Sequence, residues 1–252
     1  MRSKRINEIE NYIFENGTVS LDNLCQKFGV SKNTIRRDVD EIVARGTIRK
    51  IYGGVSVRTA KEMTSFDERN VRNLAAKKRI AAKAAQLVED GDVIFIDSGT
   101  TTRHMIEFLK NVPNLTIITN NLEVIVRAVR YKNINVLSLS GTLDRKTLSF
   151  VGPSAVDVLQ SFNISKAFMS STGISSNGDV THSSPLEYDI KRMVAQNSQQ
   201  VYLLVDASKF YVVSLMTFCS LKHVNAMITD QQPPDSILSH LRGNNQALYV
   251  AE

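Results

Sequence analysis

Hydrophobic residues in the first sixty positions recur at helical spacing in three successive segments. Each stripe repeats every three or four residues, as one buried face of an α-helix requires. Residue types that cap or stop helices stand between the stripes. The stripes are Ile6, Ile9 and Ile13; Leu21, Leu24, Cys25 and Phe28; and Ile35, Val39, Ile42 and Val43, with Gly17, Gly29 and Gly46 as the stops. This pattern predicts three short helices, the last two separated by a three-residue turn.

From Thr47 to Val57 the pattern changes to an alternation around Gly53-Gly54, which predicts a hairpin. A short helix, a tight turn, a second helix and a hairpin are typical of a winged helix-turn-helix, whose second helix enters the major groove of DNA. For Tyr52, closure of the small core is as good an interpretation as contact with DNA. The candidate DNA-binding residues are Ser31, Lys32, Asn33, Thr34, Arg36 and Arg37 on the helix and Arg49, Lys50 and Tyr52 on the hairpin.

From Ile80 onward, apolar runs of strand length alternate with helical stripes. The pattern predicts helices over 80–88, 102–109 and 122–129 and strands over 93–96, 115–119, 136–139 and 201–205. Such alternation predicts an α/β domain with a Rossmann-like parallel sheet. The polar stretch before it is interpreted as a linker. The predicted organisation is therefore a winged helix-turn-helix domain at 1–57, a linker at 58–79 and an α/β domain at 80–252.

Polar residues follow several strands of the predicted sheet, at the carboxyl ends where open α/β sheets bind ligands. The first group, Asp97 to Thr101, contains a glycine and precedes a helix, so its backbone N–H groups and hydroxyls are suited to phosphate. Helix capping without a ligand is an equally good interpretation of that group alone. The candidate effector-binding residues are Asp97, Ser98, Gly99, Thr100, Thr101, Thr119, Asn120, Asn121, Gly141, Lys146, Thr172, Gly173, Glu187, Asp206 and Lys209.

Pairs of a carboxylate and a lysine occur twice in this second domain. Glu187 and Lys191 are four residues apart on a predicted helix, and a surface ion pair is preferred over a ligand role. Asp206 and Lys209 follow the most hydrophobic strand and are stronger ligand candidates. Because such pairs can also transfer protons, a sugar-phosphate isomerase-like enzyme is the alternative function. The four histidines are scattered, and no metal site is predicted.

The charge is concentrated in the first third of the chain. The net charge is +6: residues 1–60 carry 11 Lys and Arg against 7 Asp and Glu, residues 61–79 carry 6 against 3, and residues 80–252 carry 14 against 15. A basic domain that meets a polyanion is the interpretation, with a solvated basic surface as the alternative. No apolar run reaches the length of a membrane span, no secretory signal is recognised and only two cysteines occur, so we expect a cytoplasmic protein.

The run Val30 to Val39, followed by Tyr52-Gly53-Gly54-Val55, resembles the signature of the DeoR family of bacterial transcriptional regulators. Asp97 to Thr101, Thr119-Asn120 and Ser208-Lys209-Phe210 extend the resemblance over about residues 3–230. It implies operator DNA, a domain related to ribose-5-phosphate isomerase and a phosphorylated sugar as effector. Because helix-turn-helix proteins commonly read paired half-sites, we expect a homodimer or homotetramer, and we expect no cofactor and no catalytic residue. Asp97 to Thr101 and Leu186 to Tyr188 are most similar to the inositol-catabolism repressors. We therefore expect a repressor of a sugar or polyol operon that a phosphorylated sugar releases from DNA.

One segment departs from the family pattern. Family members usually continue Ser-Lys-Phe with a glycine and a basic residue, whereas this chain continues with Tyr211-Val212-Val213. The departure leaves the shape of this loop and its ligand contacts open.

Overall fold

A computed structural model describes residues 2–44, 48–57 and 66–252. Among these residues, no helix is both long enough and apolar enough to cross a membrane. The predicted helix stop at Gly46 and the predicted start of the hairpin at Thr47 lie outside the described residues.

The N-terminal part has the predicted three helices and hairpin. Ser20 caps the second helix by accepting a hydrogen bond from the Asn23 N–H at 3.1 Å, and Gly29 ends that helix in a left-handed conformation with φ 63°. The elements are α1 (Arg2–Asn16), β1 (Thr18–Ser20), α2 (Leu21–Phe28), α3 (Lys32–Ala44), β2 (Ile48–Ile51) and β3 (Gly54–Val57). The winged helix-turn-helix is therefore confirmed as a fold.

One strand of this part was not predicted. β1 pairs antiparallel with β3, so that the hairpin becomes a three-stranded sheet of order β1-β3-β2. Its central residue, Val19, is buried together with the helical stripes. Three residues are too few for an alternating pattern to be recognised, so only the folded domain defines this strand.

The remainder of the chain is an α/β domain. Its helices are α4 (Phe66–Val71), α5 (Leu74–Ala85), α6 (Leu122–Ala128), α7 (Pro153–Leu159), α8 (Pro185–Asn197) and α9 (Asp235–Gly243). Its strands are β4 (Val93–Ile96), β5 (Thr116–Thr119), β6 (Asn135–Ser138), β7 (Thr142–Asp144), β8 (Ser149–Val151), β9 (Lys166–Met169), β10 (Gly173–Ile174), β11 (Asp179–His182), β12 (Gln200–Leu204), β13 (Met216–Ser220), β14 (Ala226–Thr229) and β15 (Ala247–Val250). Short 3₁₀ helices occupy Thr102–Glu107, Ala207–Lys209 and Leu221–His223.

Seven of these strands form the predicted parallel sheet, in the order β15-β14-β12-β9-β4-β5-β6. Successive residues of β4 point to opposite faces, with Phe95 in one hydrophobic cluster and Ile94 and Ile96 in the other. Both faces are thus buried, as parallel sheets require. An antiparallel sheet of order β10-β11-β13 and the hairpin β7-β8 lie outside this main sheet.

The helix boundaries near the predicted linker differ from the sequence-based expectation. Within 58–79, the residues described from 66 onward are mostly helical, and α5 spans Leu74–Ala85 instead of 80–88. Its buried face combines alanines with Lys77, which is 4% exposed. Before Ile80, the buried residues of α5 are Ala76 and Lys77, so no apolar stripe marks the first half of this helix in the sequence. The helix predicted over 102–109 is a 3₁₀ helix ending at Glu107.

Candidate DNA-binding surface and ligand cavity

The exposed face of α3 carries the predicted DNA-binding residues. Asn33, Arg36 and Arg37 are exposed and have no hydrogen bond or ion pair with any described residue, which leaves their side chains available. Ser31 accepts a hydrogen bond from the Thr34 N–H at 3.3 Å and so contributes to the start of α3. Lys32 pairs with Asp22 at 2.6 Å.

The hairpin β2-β3 presents the remaining candidates. Arg49 and Lys50 are exposed, and the Lys50 ammonium contacts Asp40 at 2.5 Å. Tyr52 is fully exposed at the tip of the turn. The interpretation that Tyr52 closes the small core is therefore wrong, and its ring is available for an external contact.

The loop after β4 is buried at the carboxyl edge of the sheet. The Asp97 carboxylate accepts hydrogen bonds from the N–H and the hydroxyl of Ser170, at 2.9 and 2.6 Å, and lies 2.5 Å from the Lys191 ammonium. Asp97 and Lys191 are each 1% exposed or less. These protein contacts engage Asp97, so its role is to join β4 to the end of β9 and to α8.

The residues after Asp97 form a turn suited to an anion. Within the described part of the chain, the backbone N–H groups of Ser98, Gly99, Thr100 and Thr101 donate to no protein acceptor. Successive unpaired N–H groups at such a turn attract a negative charge. A side chain on Gly99 would overlap the Ser170 hydroxyl, so only glycine permits this close approach.

Glu187 does not form the predicted surface pair with Lys191. Its carboxylate is buried, accepts from the Ser149 hydroxyl at 2.7 Å and lies 2.7 Å from Nε2 of His182. Burial lowers the pKa of His182. Burial by itself raises the pKa of Glu187. The hydrogen bond with His182 and the nearby positive charges lower this pKa by more than burial raises it, so the net shift is downward. The surface-pair interpretation is therefore wrong, because β4, β8 and β11 bring other partners to both helix residues.

Several other candidates after the strands also have structural roles. Thr119 donates to the Ile96 carbonyl at 2.6 Å, and Asn121 caps α6 through Glu123 N–H and donates to the Asp97 carbonyl. Thr172 has its hydroxyl 3.2 Å from Nδ1 of His182. Asn120 donates to the Phe150 carbonyl, and its Oδ1 is buried without a partner among the described residues.

Two predicted residues lie at the β7-β8 hairpin, apart from the buried candidates described above. Gly141 and Lys146 are both exposed, and the Lys146 N–H donates to Asp144 at 2.9 Å. Gly173, in contrast, lies where a side chain would overlap the Val212 carbonyl, so this glycine allows β10 to approach the segment after Phe210.

A cavity of about 230 Å³ opens between the segment from α4 to α5 and the residues after β12. Four of its lining residues carry positive charge and one carries negative charge. The lining residues are Arg69, Arg72, Asn73, Lys77, Asp206, Ser208 and Lys209. The Lys77 ammonium donates to the Thr100 hydroxyl at 3.0 Å and thereby connects the cavity to the anion-binding turn.

The charges of the cavity perturb one another. Burial, reinforced by Lys209, Arg69 and Arg103, lowers the pKa of Lys77 to about 8, although Asp206 opposes the shift. Burial also lowers the pKa of Lys209. Burial raises the pKa of Asp206, but Lys209 and hydrogen bonds from Ser208 and Asn73 lower it more. Cations that repel one another in a partly closed site favour an anionic ligand, which relieves that repulsion.

Sequence reasoning found Asp206 and Lys209 and missed the residues that face them. Arg69, Arg72, Asn73 and Lys77 belong to the predicted linker, where their charge was interpreted as part of the basic surface. The excess of positive charge over residues 61–79 was the available signal. Among the described residues, His, Cys, Asp and Glu side chains form no cluster that could hold a metal ion.

Comparison with known proteins gives matches along nearly the whole chain. Residues 5–61 match the model of the DeoR-like helix-turn-helix domain, and residues 72–231 match that of the DeoR C terminal sensor domain. The HTH-type transcriptional regulator IolR of Bacillus subtilis (strain 168) is 40% identical over 251 residues, covering 100% of both chains. The glycerol-3-phosphate regulon repressor of Escherichia coli (strain K12) is 31% identical over 249 residues, covering 99% of both. Ribose 5-phosphate isomerase A of Methanocaldococcus jannaschii aligns with a TM-score of 0.40 and 21% identity over 55% of each chain.

A winged helix-turn-helix with an available cationic helix face, joined to an α/β domain with a cation-lined cavity, defines a DNA-binding transcriptional regulator with a sensor domain. Both domain models and the full-length relatives agree with this class. The chain belongs to the DeoR family. The resemblance seen in the sequence is thereby confirmed.

Proposed function

We propose that this regulator represses a sugar or polyol catabolic operon and is released from its operator by a phosphorylated sugar bound in the cavity. The observation that carries the proposal is the arrangement of Arg69, Arg72, Lys77 and Lys209 around one cavity, with Lys77 also contacting the Thr100 hydroxyl of the anion-binding turn. A phosphate dianion is the ligand group that such donors favour. The names of the two relatives, a regulon repressor among them, support the repressor role.

Catalysis by this chain is the less favoured function. Proton abstraction needs a carboxylate base that reaches the substrate, because the cavity lysines Lys77 and Lys209 meet an anionic ligand as cations. Asp97, Glu187 and Lys191 are buried and engaged with protein partners, and the Asp206 carboxylate accepts from Ser208 and Asn73. We therefore propose that the cavity binds its ligand without converting it.

Thermal melting tests the ligand class. The purified chain is melted with glucose 6-phosphate, fructose 6-phosphate, fructose 1-phosphate and glycerol 3-phosphate, each beside its unphosphorylated form. A ligand of the folded state at 100 times its Kd adds about 2.7 kcal/mol to the free energy of unfolding and raises the midpoint. We expect a shift with at least one phosphorylated compound and none with the unphosphorylated partner.

Two variants locate the binding site. Lys209→Met removes a cavity cation, and Lys222→Met removes an exposed lysine elsewhere in the same domain. The shift is expected to be lost in the first and retained in the second. Equal shifts of the melting midpoint in both variants contradict the proposed site. Equal shifts with a phosphorylated compound and its unphosphorylated form contradict it as well. Product formation from the stabilising compound, followed by NMR, would favour the enzyme instead.

A further inference from the structure

The segment that departs from the family pattern has an unusual backbone. Tyr211 adopts φ 60°, a left-handed conformation that favours glycine and is uncommon for a bulky residue. It stands two residues after Lys209, which lines the cavity. A strained tyrosine at this place needs contacts that hold it there.

Those contacts reach the DNA-binding domain. The Tyr211 ring stacks on Phe14 of α1, with ring centroids 4.4 Å apart and an interplanar angle of 25°. The Tyr211 hydroxyl lies 2.7 Å from the Ser236 hydroxyl at the start of α9. Tyr211 is 6% exposed, and Phe14 packs against the hydrophobic clusters of both domains. Tyr211 thus bridges the sensor domain and the first helix of the DNA-binding domain.

The remaining neighbours restrict how this segment can move. Phe210 forms a bridge to Ile174 of β10, and the Val212 carbonyl approaches Gly173 too closely to admit a side chain. These contacts hold Phe210 and Val212 against β10, so the segment moves as one unit with its neighbours. Since only Phe210 separates Lys209 from Tyr211, a shift of Lys209 that moves this unit also moves Tyr211. Because close-packed contacts do not compress, such a displacement is passed to Phe14.

A continuous set of contacts leads on to the recognition helix. Phe14 lies on α1, and Arg5 of the same helix contacts the buried Asp38 of α3 at 2.8 Å. α3 carries the exposed Arg36 and Arg37.

We propose that the Tyr211–Phe14 contact couples occupancy of the cavity to the position of the DNA-binding domain. The proposal rests on the proposed function, since it assumes that an anionic ligand acts at Ser208 and Lys209. The proposal assigns a role to Tyr211, at which this chain departs from the family pattern. A displacement of the loop by the ligand is passed through the Tyr211 ring to α1.

Two substitutions at one position separate the ring from the loop. Tyr211→Gly removes the ring, and its backbone adopts the left-handed conformation freely, so the cavity loop is expected to keep its shape. Tyr211→Phe keeps the ring and removes only the hydroxyl. Operator affinity is measured on a duplex that the wild-type chain selects from random-sequence DNA. Operator affinity is measured with and without each phosphorylated compound used in the melting experiment. The heat of binding of each compound is recorded on the same protein preparations.

We expect the wild-type chain and Tyr211→Phe to lose operator affinity with ligand by about 5–150-fold, a usual range for coupled sites. In Tyr211→Gly the ratio of operator affinity without ligand to operator affinity with ligand is expected to fall close to 1. Its ligand affinity is expected to stay within about twofold of wild type. If Tyr211→Gly binds ligand and still releases DNA normally, the coupling role is wrong and the proposed function stands. If no panel compound binds the wild-type chain, both proposals fail.

A spectroscopic readout follows the contact itself. The chain contains no tryptophan, so Phe14→Trp places a single indole against Tyr211. Its emission is expected to change with ligand and to saturate over the same concentration range as the binding heat. The same titration of Phe14→Trp combined with Tyr211→Gly is expected to show no change. Binding heat with constant emission from Phe14→Trp alone contradicts the proposal.

Discussion

At the scale of single residues, the partner of a buried charge separates the charges that hold the fold from those available to a ligand. Asp97 and Lys191 neutralise each other in the interior, 2.5 Å apart. Lys77 is also buried, yet among the described residues its ammonium donates to a carbonyl and a hydroxyl, those of Arg69 and Thr100, and it lines a cavity. A buried cation without a carboxylate contact is stabilised most by an anion that arrives from outside.

The depressed pKa of Lys77 predicts the pH dependence of ligand binding. An anion stabilises the charged lysine, so affinity is present below a pH of about 8 and falls as the pH rises through that value. The loss above it is at most about tenfold per pH unit for one group. A phosphate is already fully ionised in this range, since its second pKa is about 6. Isothermal titration between pH 7 and 9.5 measures the effect.

A pair of neighbouring lysines supplies the control. Lys77→Met is expected to bind weakly with a flatter pH profile, whereas the exposed Lys78→Met is expected to follow wild type. A profile that is equally steep in both variants would assign the titration to Lys209 or another group.

The available arginines of α3 predict a salt-dependent loss of DNA binding. Arg36→Ala and Arg37→Ala each remove an exposed cation. We expect weaker operator binding, and a variant that loses a phosphate contact lowers the dependence of log K on log salt by about 1. Arg130→Ala, which removes an exposed arginine of the sensor domain, is the matched control. Fluorescence anisotropy at several salt concentrations measures both quantities, and unchanged affinity in both α3 variants contradicts this surface.

At the scale of elements, α8 is fixed to the carboxyl edge of the sheet by buried polar contacts. Lys191 reaches Asp97 after β4 and the Ser170 carbonyl after β9, and Glu187 reaches His182 of β11 and Ser149 of β8. One helix therefore connects two strands of the main sheet with the β7-β8 hairpin and the β10-β11-β13 sheet. This arrangement keeps the anion-binding turn in place.

Removal of one partner of the buried ion pair predicts a large loss of stability. Lys191→Met leaves the Asp97 carboxylate unpaired in the interior, which costs about 3–5 kcal/mol in the free energy of unfolding. Lys50→Met breaks an exposed pair with Asp40 and is expected to cost no more than about 1 kcal/mol. Urea unfolding compares the two variants, and Asp97→Asn combined with Lys191→Met is expected to recover part of the loss. Similar small losses in both single variants would show that the pair is not a main support of α8.

At the scale of the whole molecule, the cation-lined cavity lies between residues 69–77 and the end of β12. Arg69, Arg72, Asn73 and Lys77 come from α4, α5 and the turn between them, and Asp206, Ser208 and Lys209 come from the end of β12. The segment that leads from the DNA-binding domain thus forms one wall of the cavity. Under the proposed function, we expect a ligand that draws the two walls together to act on this segment.

The winged helix-turn-helix predicts an oligomer on two half-sites. Dimeric proteins with this motif place two recognition helices in major grooves about one helical turn apart, so the half-sites lie about 10–10.5 base pairs apart or at a multiple of that distance. We expect a homodimer or homotetramer in analytical ultracentrifugation and two protected half-sites in hydroxyl-radical footprinting. A monomer that protects a single patch contradicts this expectation.

The sequence alone determined the elements whose signals are local. Helical stripes, caps and a glycine turn specified the winged helix-turn-helix, and alternating strands and helices specified the parallel sheet. Local patterns also predicted a candidate ligand site at Asp97 to Thr101 and at Asp206 and Lys209, because strand ends and glycine turns have short-range sequence signatures.

Only the tertiary structure decided what these residues contact. Lys191 meets Asp97, 94 residues away along the chain, and Phe14 meets Tyr211, and no periodicity encodes such pairs. The local sequence likewise does not indicate that Arg69 and Lys77 line a cavity, because their charges in the sequence resemble those of a solvated linker. Burial and partner choice depend on the packing of distant elements, so the sequence indicates the types of side chain and the fold assigns their partners.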